Sequence, residues 1–358
     1  MDSSRWVRHG VAMVTRRLSV ALVLAVPLLL PAAPAHAGSA PVWEPVPVPT
    51  TQGFRGLAAL DAETAWVSGS GGGVWRTADG GQTWQDVSPA GAAGAAFRDI
   101  EVHDPHRASV LSIGEGAASR IYTTDDGGGS WQLSFVNDDP YAFYDCMDFF
   151  PGGRRGLAMS DPVAGRFRIL ATDDGGHTWR VLPTDGMPPA VEGEFGFAAS
   201  GTCLVTAGAH DVWFATGGVA SRIFHSGDGG RTWTATTAPL PAGATAGVYS
   251  LAFRDTLHGV AVGGDFLAPE SGVVTGITRN GETWQSGGIP HGYRSGVAWH
   301  REQSNTLVAV GPTGSDLSVD GGRSWTRFDS VRYDAVACTG DGACWASGPG
   351  GRVALLRV

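Results

Sequence analysis

One eight-residue turn recurs along this chain and constrains its fold more than any other feature. TADGGQTW at Thr77–Trp84 returns as TDDGGGSW at Thr124–Trp131, TDDGGHTW at Thr172–Trp179, SGDGGRTW at Ser226–Trp233 and SVDGGRSW at Ser318–Trp325. A shortened copy, TRNGETW at Thr278–Trp284, carries Asn280 in place of the acid and lacks one residue. A carboxylate at the third place can accept hydrogen bonds from its own turn, the glycines tolerate positive φ, and the tryptophan anchors the hairpin to a packed face. Asp79, Asp126, Asp174, Asp228 and Asp320 therefore read as structural, because a device repeated in every unit cannot all sit at one site.

The flanks repeat as well. Each turn follows a strand such as GVWRT, SRIYT, FRILA or SRIFH, and before that comes a strand ending in small residues, among them AWVSGS, VLSIGE, LAMSDP and WFATGG. Further upstream lies an aromatic-led strand: FRGLAAL, FRDIEV, FYDCMDF, a divergent GFAASGT, VYSLAF and YRSGVAW. Each unit is thus four short strands, a to d, and 54 Gly with 21 Pro suit the many tight turns they need. Four-stranded repeats of this length are the blades of an all-β propeller. After the last turn the chain supplies only strands a to c of a further blade, in YDAVACTGDGACWASGPGGRVALLRV. VWEPVPVP at Val42–Pro49 is the candidate for the missing strand d, closing the ring and removing two open sheet edges. Pro45 and Pro47 suit an outermost strand, where one side needs no ladder donors. The residues after Ala37 divide into sevenths of about 46, within the usual blade length. Seven blades are expected, with six the fallback.

The pattern Ser/Thr-x-Asp-x-Gly-x-Thr/Ser-Trp resembles the Asp-box, or BNR, repeat of sialidase-like propellers. Taken with the strand motifs, the chain after its leader resembles the BNR/YVTN-type propellers related to the photosystem II assembly and stability factor. That resemblance implies a scaffold or chaperone-like binding protein. Some members of the branch carry an oxidoreductase label, but no G-x-G-x-x-G window is present and no cofactor is expected. Sialidases present an arginine in an F/Y-R-I-P segment, and Phe167-Arg168-Ile169-Leu170 is a near match. Arg168, however, holds the same strand c place as Arg120 and Arg222, which makes it part of the repeat. Hydrolysis of an extracellular glycan by two carboxylates across the channel is the alternative function.

The first residues read as a leader rather than as part of the fold. Arg5, Arg8, Arg16 and Arg17 precede the apolar run Val20–Leu30, and Ala35-His36-Ala37 offers small residues for cleavage after Ala37. The run is interrupted by Pro27 and falls short of the roughly 20 residues needed to span a bilayer. The division expected is therefore a signal peptide at 1–37 and a single propeller domain at 38–358, secreted as a monomer with no membrane span; Sec and twin-arginine export both stay open. The formal charge is −9, every basic residue is Arg, and none cluster, which excludes nucleic acid as partner and removes lysine chemistry and the P-loop.

In an oxidising compartment four cysteines read as disulfides. Cys338 and Cys344 flank the turn residues Gly340-Asp341-Gly342 and face each other across a hairpin. Cys146 and Cys203 pair only by elimination. No set of Cys and His has metal-ligand spacing, and no metal is expected.

Propeller topology says where a site would lie. With strand a innermost, the d-to-a and b-to-c connections share one face, and the repeated turns brace the other. At the start of strand a, after the leading aromatic, stand Arg55, Arg98, Asp145, Ser250, Arg294 and Asp334. The b-to-c loops add Glu115, Ser160-Asp161, Asp265 and Ser315-Asp316. These would gather at the channel mouth, either pairing with one another or binding an anion or polar ligand through Arg55, Arg98 and Arg294. The partner expected is a protein, or an extracellular glycan or polar small molecule. His103, His106, His210, His291 and His300 are scattered over turns and strand ends and form no catalytic set with Ser and Asp.

Overall fold

Seven antiparallel sheets follow one another along the chain, and a computed structural model describes them over residues 40–357. The expected leader and cleavage point lie outside the described residues. The innermost strands a run Phe54–Ala59, Ala96–Val102, Tyr144–Phe149, Leu204–Ala207, Gly243–Phe253, Gly296–Trp299 and Ala335–Cys338 in blades 1 to 7. Each is followed by strands b and c and then by a solvent-facing strand d, the ladder expected of a propeller blade. The one helical turn among the described residues is the 3-10 segment Gly116–Ala118.

The sequence pattern explains the layering. Strand b of blade 6, Leu307–Gly311, is buried at every position, because a mid-blade strand packs on both faces. Outermost strands such as Gln132–Val136 are largely open to solvent. Between blades the packing is aromatic: Trp66 of blade 1 meets Trp131 of blade 2 edge-on at 6.5 Å.

The ring closes as the strand count implies. Val42–Pro45 pairs antiparallel with Val353–Arg357 and becomes strand d of blade 7, with Trp43 opposite Leu356. Trp43 is buried against Tyr333 and Phe328, and its Nε1 donates to Ser315 Oγ at 2.9 Å.

The repeated turns share one geometry. In blade 1, Asp79 Oδ1 accepts from Thr77 Oγ1 at 2.8 Å and from the Thr83 amide at 2.9 Å, while Oδ2 accepts from Thr83 Oγ1 at 2.6 Å. The same set recurs around Asp126, Asp174, Asp228 and Asp320. Asn280 keeps the turn by accepting from the Glu282 and Thr283 amides with one oxygen. In blades 1 and 2 the tryptophan reaches across a blade boundary, Trp84 Nε1 donating to Val46 O at 3.0 Å and Trp131 Nε1 to Val87 O at 2.7 Å.

Blade 4 departs from the sequence reading. The aromatic-led GFAASGT is not its inner strand; that role falls to Leu204–Ala207. Glu194–Phe195 instead pairs with Gly217–Gly218, and both join the sheet of blade 5, which thereby has six strands. Phe197 leaves the sheet pattern and stacks on Tyr249 at 3.8 Å and 13°.

Candidate functional site

Where strands a begin, most of the blades carry a bulge that turns one side chain toward the axis. In blades 1, 2 and 3 the residue skipped by the ladder is Arg55, Arg98 or Asp145, and in blade 5 it is Tyr249. Ser295 and Asp334 hold the matching place in blades 6 and 7, each sharing its partner carbonyl, Val310 O or Ser347 O, with the strand that follows. Five of these six, all but Asp145, line one cavity of about 490 Å³ at the channel mouth. Phe197, Phe266, Tyr293 and Pro269 supply apolar walls, and Arg332 joins the cations.

The electrostatics of the mouth are one-sided. Arg55, Arg98 and Arg332 face it, and Asp334 is the one carboxylate among the described residues that line it. Asp334 Oδ1 is already engaged by Arg332, whose Nη2 and Nε lie 3.2 and 3.3 Å away. Arg55 Nη1 donates to Ala199 O at 3.3 Å. Arg98 has no such partner: its Nε is buried and unsatisfied. Burial first, then the Arg55 charge, pull the Arg98 guanidinium down to about 10, with Asp334 opposing. It remains a cation at neutral pH, so the cavity holds a half-buried positive charge whose nearest carboxylate, Asp334, is bonded to Arg332 instead.

Arg294, expected beside Arg55 and Arg98, does not face the mouth. Its strand starts one residue later relative to the leading Tyr293, so Ser295 takes the bulge place and Arg294 the buried place held elsewhere by the aromatic. There it donates to Asp316 Oδ2 from Nε at 2.7 Å and to Thr313 Oγ1 at 2.8 Å. Asp316 also takes His291 Nδ1 at 2.6 Å. Both Arg294 and Asp316 are thereby used up as a brace between strands of blade 6.

The remaining residues singled out in the sequence fall around the rim. Asp265 caps its own loop, accepting from Thr245 Oγ1 at 2.6 Å and the Leu267 amide at 2.9 Å, and these bonds hold its carboxyl below the usual range. Glu115 forms an isolated bridge with Phe143. Asp145 and Asp161 lie together beneath the Glu194–Ala199 segment, where Asp161 Oδ1 accepts the Gly196 amide at 2.7 Å. Ser250 lies one step below the mouth, bonded to Thr202 Oγ1 at 2.6 Å. Arg168 is paired with Asp139. Arg332, Tyr249 and Phe197 were missed by sequence reasoning. Arg332 and Tyr249 stand beside residues that were singled out, Arg332 just before the leading Tyr333 and Tyr249 as a leading aromatic itself.

A second cavity, of about 260 Å³, opens along the channel toward the face of the repeated turns and is lined in part by Glu101, Asp148 and Arg301. Burial pushes Asp99 and Glu101 well above the ordinary carboxyl range and Asp148 up to about 6, and repulsion from Asp148 adds to the rise at the first two. These acids sit on neighbouring blades rather than across the channel. Asp148 Oδ2 accepts the Thr206 amide at 2.6 Å and Asp99 Oδ2 the Met147 amide at 2.7 Å, which ties both to the strands.

Cys146–Cys203 and Cys338–Cys344 are both bonded, with Cα atoms 6.0 and 4.1 Å apart. The first links the inner strand of blade 3 to the start of that of blade 4. No helix among the described residues is long and apolar enough to cross a membrane.

No family model matches the chain, and no curated protein matches it. Solved structures do. YCF48 bound to a D1 peptide aligns with a TM-score of 0.64 at 15% identity, over 88% of this chain and 95% of that one. The GH74 xyloglucanase from Xanthomonas campestris aligns at 0.61 and 17% identity, over 88% of this chain and 53% of that one. U3-55K aligns at 0.62 with 8% identity, over 89% and 98%. At such identities the likeness is one of architecture, and it places this chain among the seven-bladed β-propellers on a fold shared with YCF48 and GH74 proteins.

Proposed function

We propose that this chain is an exported binding or assembly propeller that holds an acidic segment of a partner protein in its arginine-lined mouth. The observation that carries the reading is Arg98: a buried, unsatisfied guanidinium nitrogen beside Arg55 in a cavity walled by aromatic rings. A desolvated cation with no directly bonded carboxylate is costly in the free protein, and a ligand carboxylate relieves that cost through charge-assisted, bidentate bonds. The aromatic walls offer apolar area to the body of the same ligand. The architecture shared with YCF48, whose solved complex holds a D1 peptide, is in keeping with peptide recognition. Two disulfides and the expected leader fit export.

The hydrolase reading has one observation in its favour, the raised carboxyls Asp99, Glu101 and Asp148 at the other end of the channel. Against it, two of the three acids are held by backbone amides.

The test is capture of partners by the mature chain from host extract, compared among wild type, Arg98→Ala, Arg332→Ala and Asp174→Ala. The arginine variants should lose the captured protein and the Asp174 variant should retain it. Retention by both arginine variants would overturn the assignment of the mouth, and xyloglucan cleavage by the wild type would favour the hydrolase.

A further inference from the structure

Two acids that the binding site does not use lie directly under its wall. Asp145 comes from the bulge of blade 3 and is 1% exposed, and its Oδ2 finds no hydrogen-bond partner among the described residues. Asp161 lies within strand b of the same blade, Gly156–Val163, at a bulge against strand c, and accepts the Gly196 amide. Gly196 closes over the pair: a Cβ added there would stand 2.9 Å from Asp145 Oδ2. The segment they support is pinned at both ends, Glu194 by Arg222 and Ser200 by the Ser295 carbonyl at 2.7 Å. Between these pins it has two side-chain tethers, Asp161 on the Gly196 amide and Arg55 on the Ala199 carbonyl, and it carries Phe197, which forms the cavity wall against Tyr249.

We propose that Asp145 and Asp161 are a pH-sensitive latch on the mouth: uncharged, they sit closed beneath Glu194–Ala199, and on gaining charge they draw in water and loosen the Phe197 wall. The role in binding rests on the mouth being the binding site; the motion itself does not.

The direction follows from linkage. Burial, and for Asp145 also the neighbouring Asp161, hold both carboxyls above the ordinary range, Asp161 at about 6. In an opened state that water reaches, each would return toward its ordinary value. The closed state therefore binds more protons, and raising pH toward 6 favours opening by up to about tenfold per unit for each group. The other charged groups on the surrounding elements do not supply the effect. Arg168 is paired with Asp139 and Arg222 with Glu194. Glu115 meets Phe143 through its backbone, and Arg55, Arg98 and Arg332 stand across the cavity beside Asp334. The latch makes the mouth a site that grips in mildly acidic surroundings and relaxes toward neutrality.

Hydrogen–deuterium exchange of the Glu194–Ala199 segment tests this without a ligand. After correction for intrinsic exchange, protection in the mature protein should fall about tenfold between pH 5 and pH 7. Asp145→Asn and Asp161→Asn should flatten that slope, the latter because asparagine still accepts the Gly196 amide but takes no charge. No slope in the wild type, or an unchanged slope in both folded variants, overturns the latch. Arg98→Ala separates this from the binding reading: it should abolish partner capture and leave the exchange slope intact.

Discussion

Arg294 and Asp316 form a fully buried ion pair, with the guanidinium Nε 2.7 Å from Oδ2 and neither side chain reached by solvent. Arg98, at the start of the corresponding strand in blade 2, has no such partner and faces a cavity. Two arginines that follow an aromatic in the same kind of segment thus have opposite surroundings.

The first expectation follows from that contrast. Arg294→Ala leaves Asp316 buried with His291 as its remaining hydrogen-bond partner from the loop, and should lower stability by about 3–5 kcal/mol. Urea unfolding measures it. A loss under about 1 kcal/mol would mean that Asp316 finds another donor or takes up a proton at little cost.

Arg98→Ala should leave stability within about 1 kcal/mol of the wild type, because the charge it removes is desolvated and unpaired. Thermal melts of this variant beside Arg294→Ala give the comparison. A large loss in Arg98→Ala would show that Arg98 braces the blades and is not held for a ligand.

The pH dependence of folding should rise and then fall. Hydrogen bonds from their own turns hold Asp126, Asp174 and Asp228 near 2, below the ordinary carboxyl value, although burial opposes this. A depressed pKa means that the unfolded chain binds more protons, so this stabilisation is present above pH 4 and is lost as pH falls toward 2. Asp148 and Asp161 have the opposite sign: burial raises both to about 6, the folded chain binds more protons, and stability declines from pH 4 to pH 6. Urea midpoints between pH 2 and pH 8 should peak in the mildly acidic range, and Asp148→Asn should raise stability at pH 8 relative to pH 4. A monotonic rise to neutrality would contradict the buried set.

Asp174→Ala removes the acceptor for the Thr178 amide and for two hydroxyls, and should cost about 1 kcal/mol, the low end because the turn is solvent-exposed. Its effect should be confined to the far face, leaving partner capture unchanged. Loss of capture with folding intact would place the working surface at the repeated turns.

Deleting residues 42–49 should expose the edge of Val353–Arg357 and uncover the pocket filled by Trp43. A lower melting temperature and aggregation are expected in light scattering, and a monomer with an unchanged melt would mean that closure by this strand contributes little.

Most of the architecture could be read from the chain, because its determinants are local. The turn acid, its glycines and its tryptophan lie within eight residues, and the aromatic-led, small-ended and polar strands recur at a nearly constant interval. Even ring closure was legible, since it needs only the count of strands at the two ends. Blade 4 was not: its GFAASGT has the composition of an inner strand, but Phe197 gains a better contact on Tyr249, across a blade boundary that local pattern does not encode.

For the site, the sequence by itself determined that the starts of strands a would share one end, because strand order sends every d-to-a and b-to-c connection there. It also supplied Arg55, Arg98 and Asp334. Only the tertiary structure decided that Arg294 is a buried brace, that Arg332 and Tyr249 complete the mouth, and that Asp145 meets Asp161 under Gly196. The physical reason is register. A bulge or a one-residue offset at the start of a strand turns a side chain from the core to the channel, and that offset is settled by pairing with the neighbouring strand and packing against the next blade.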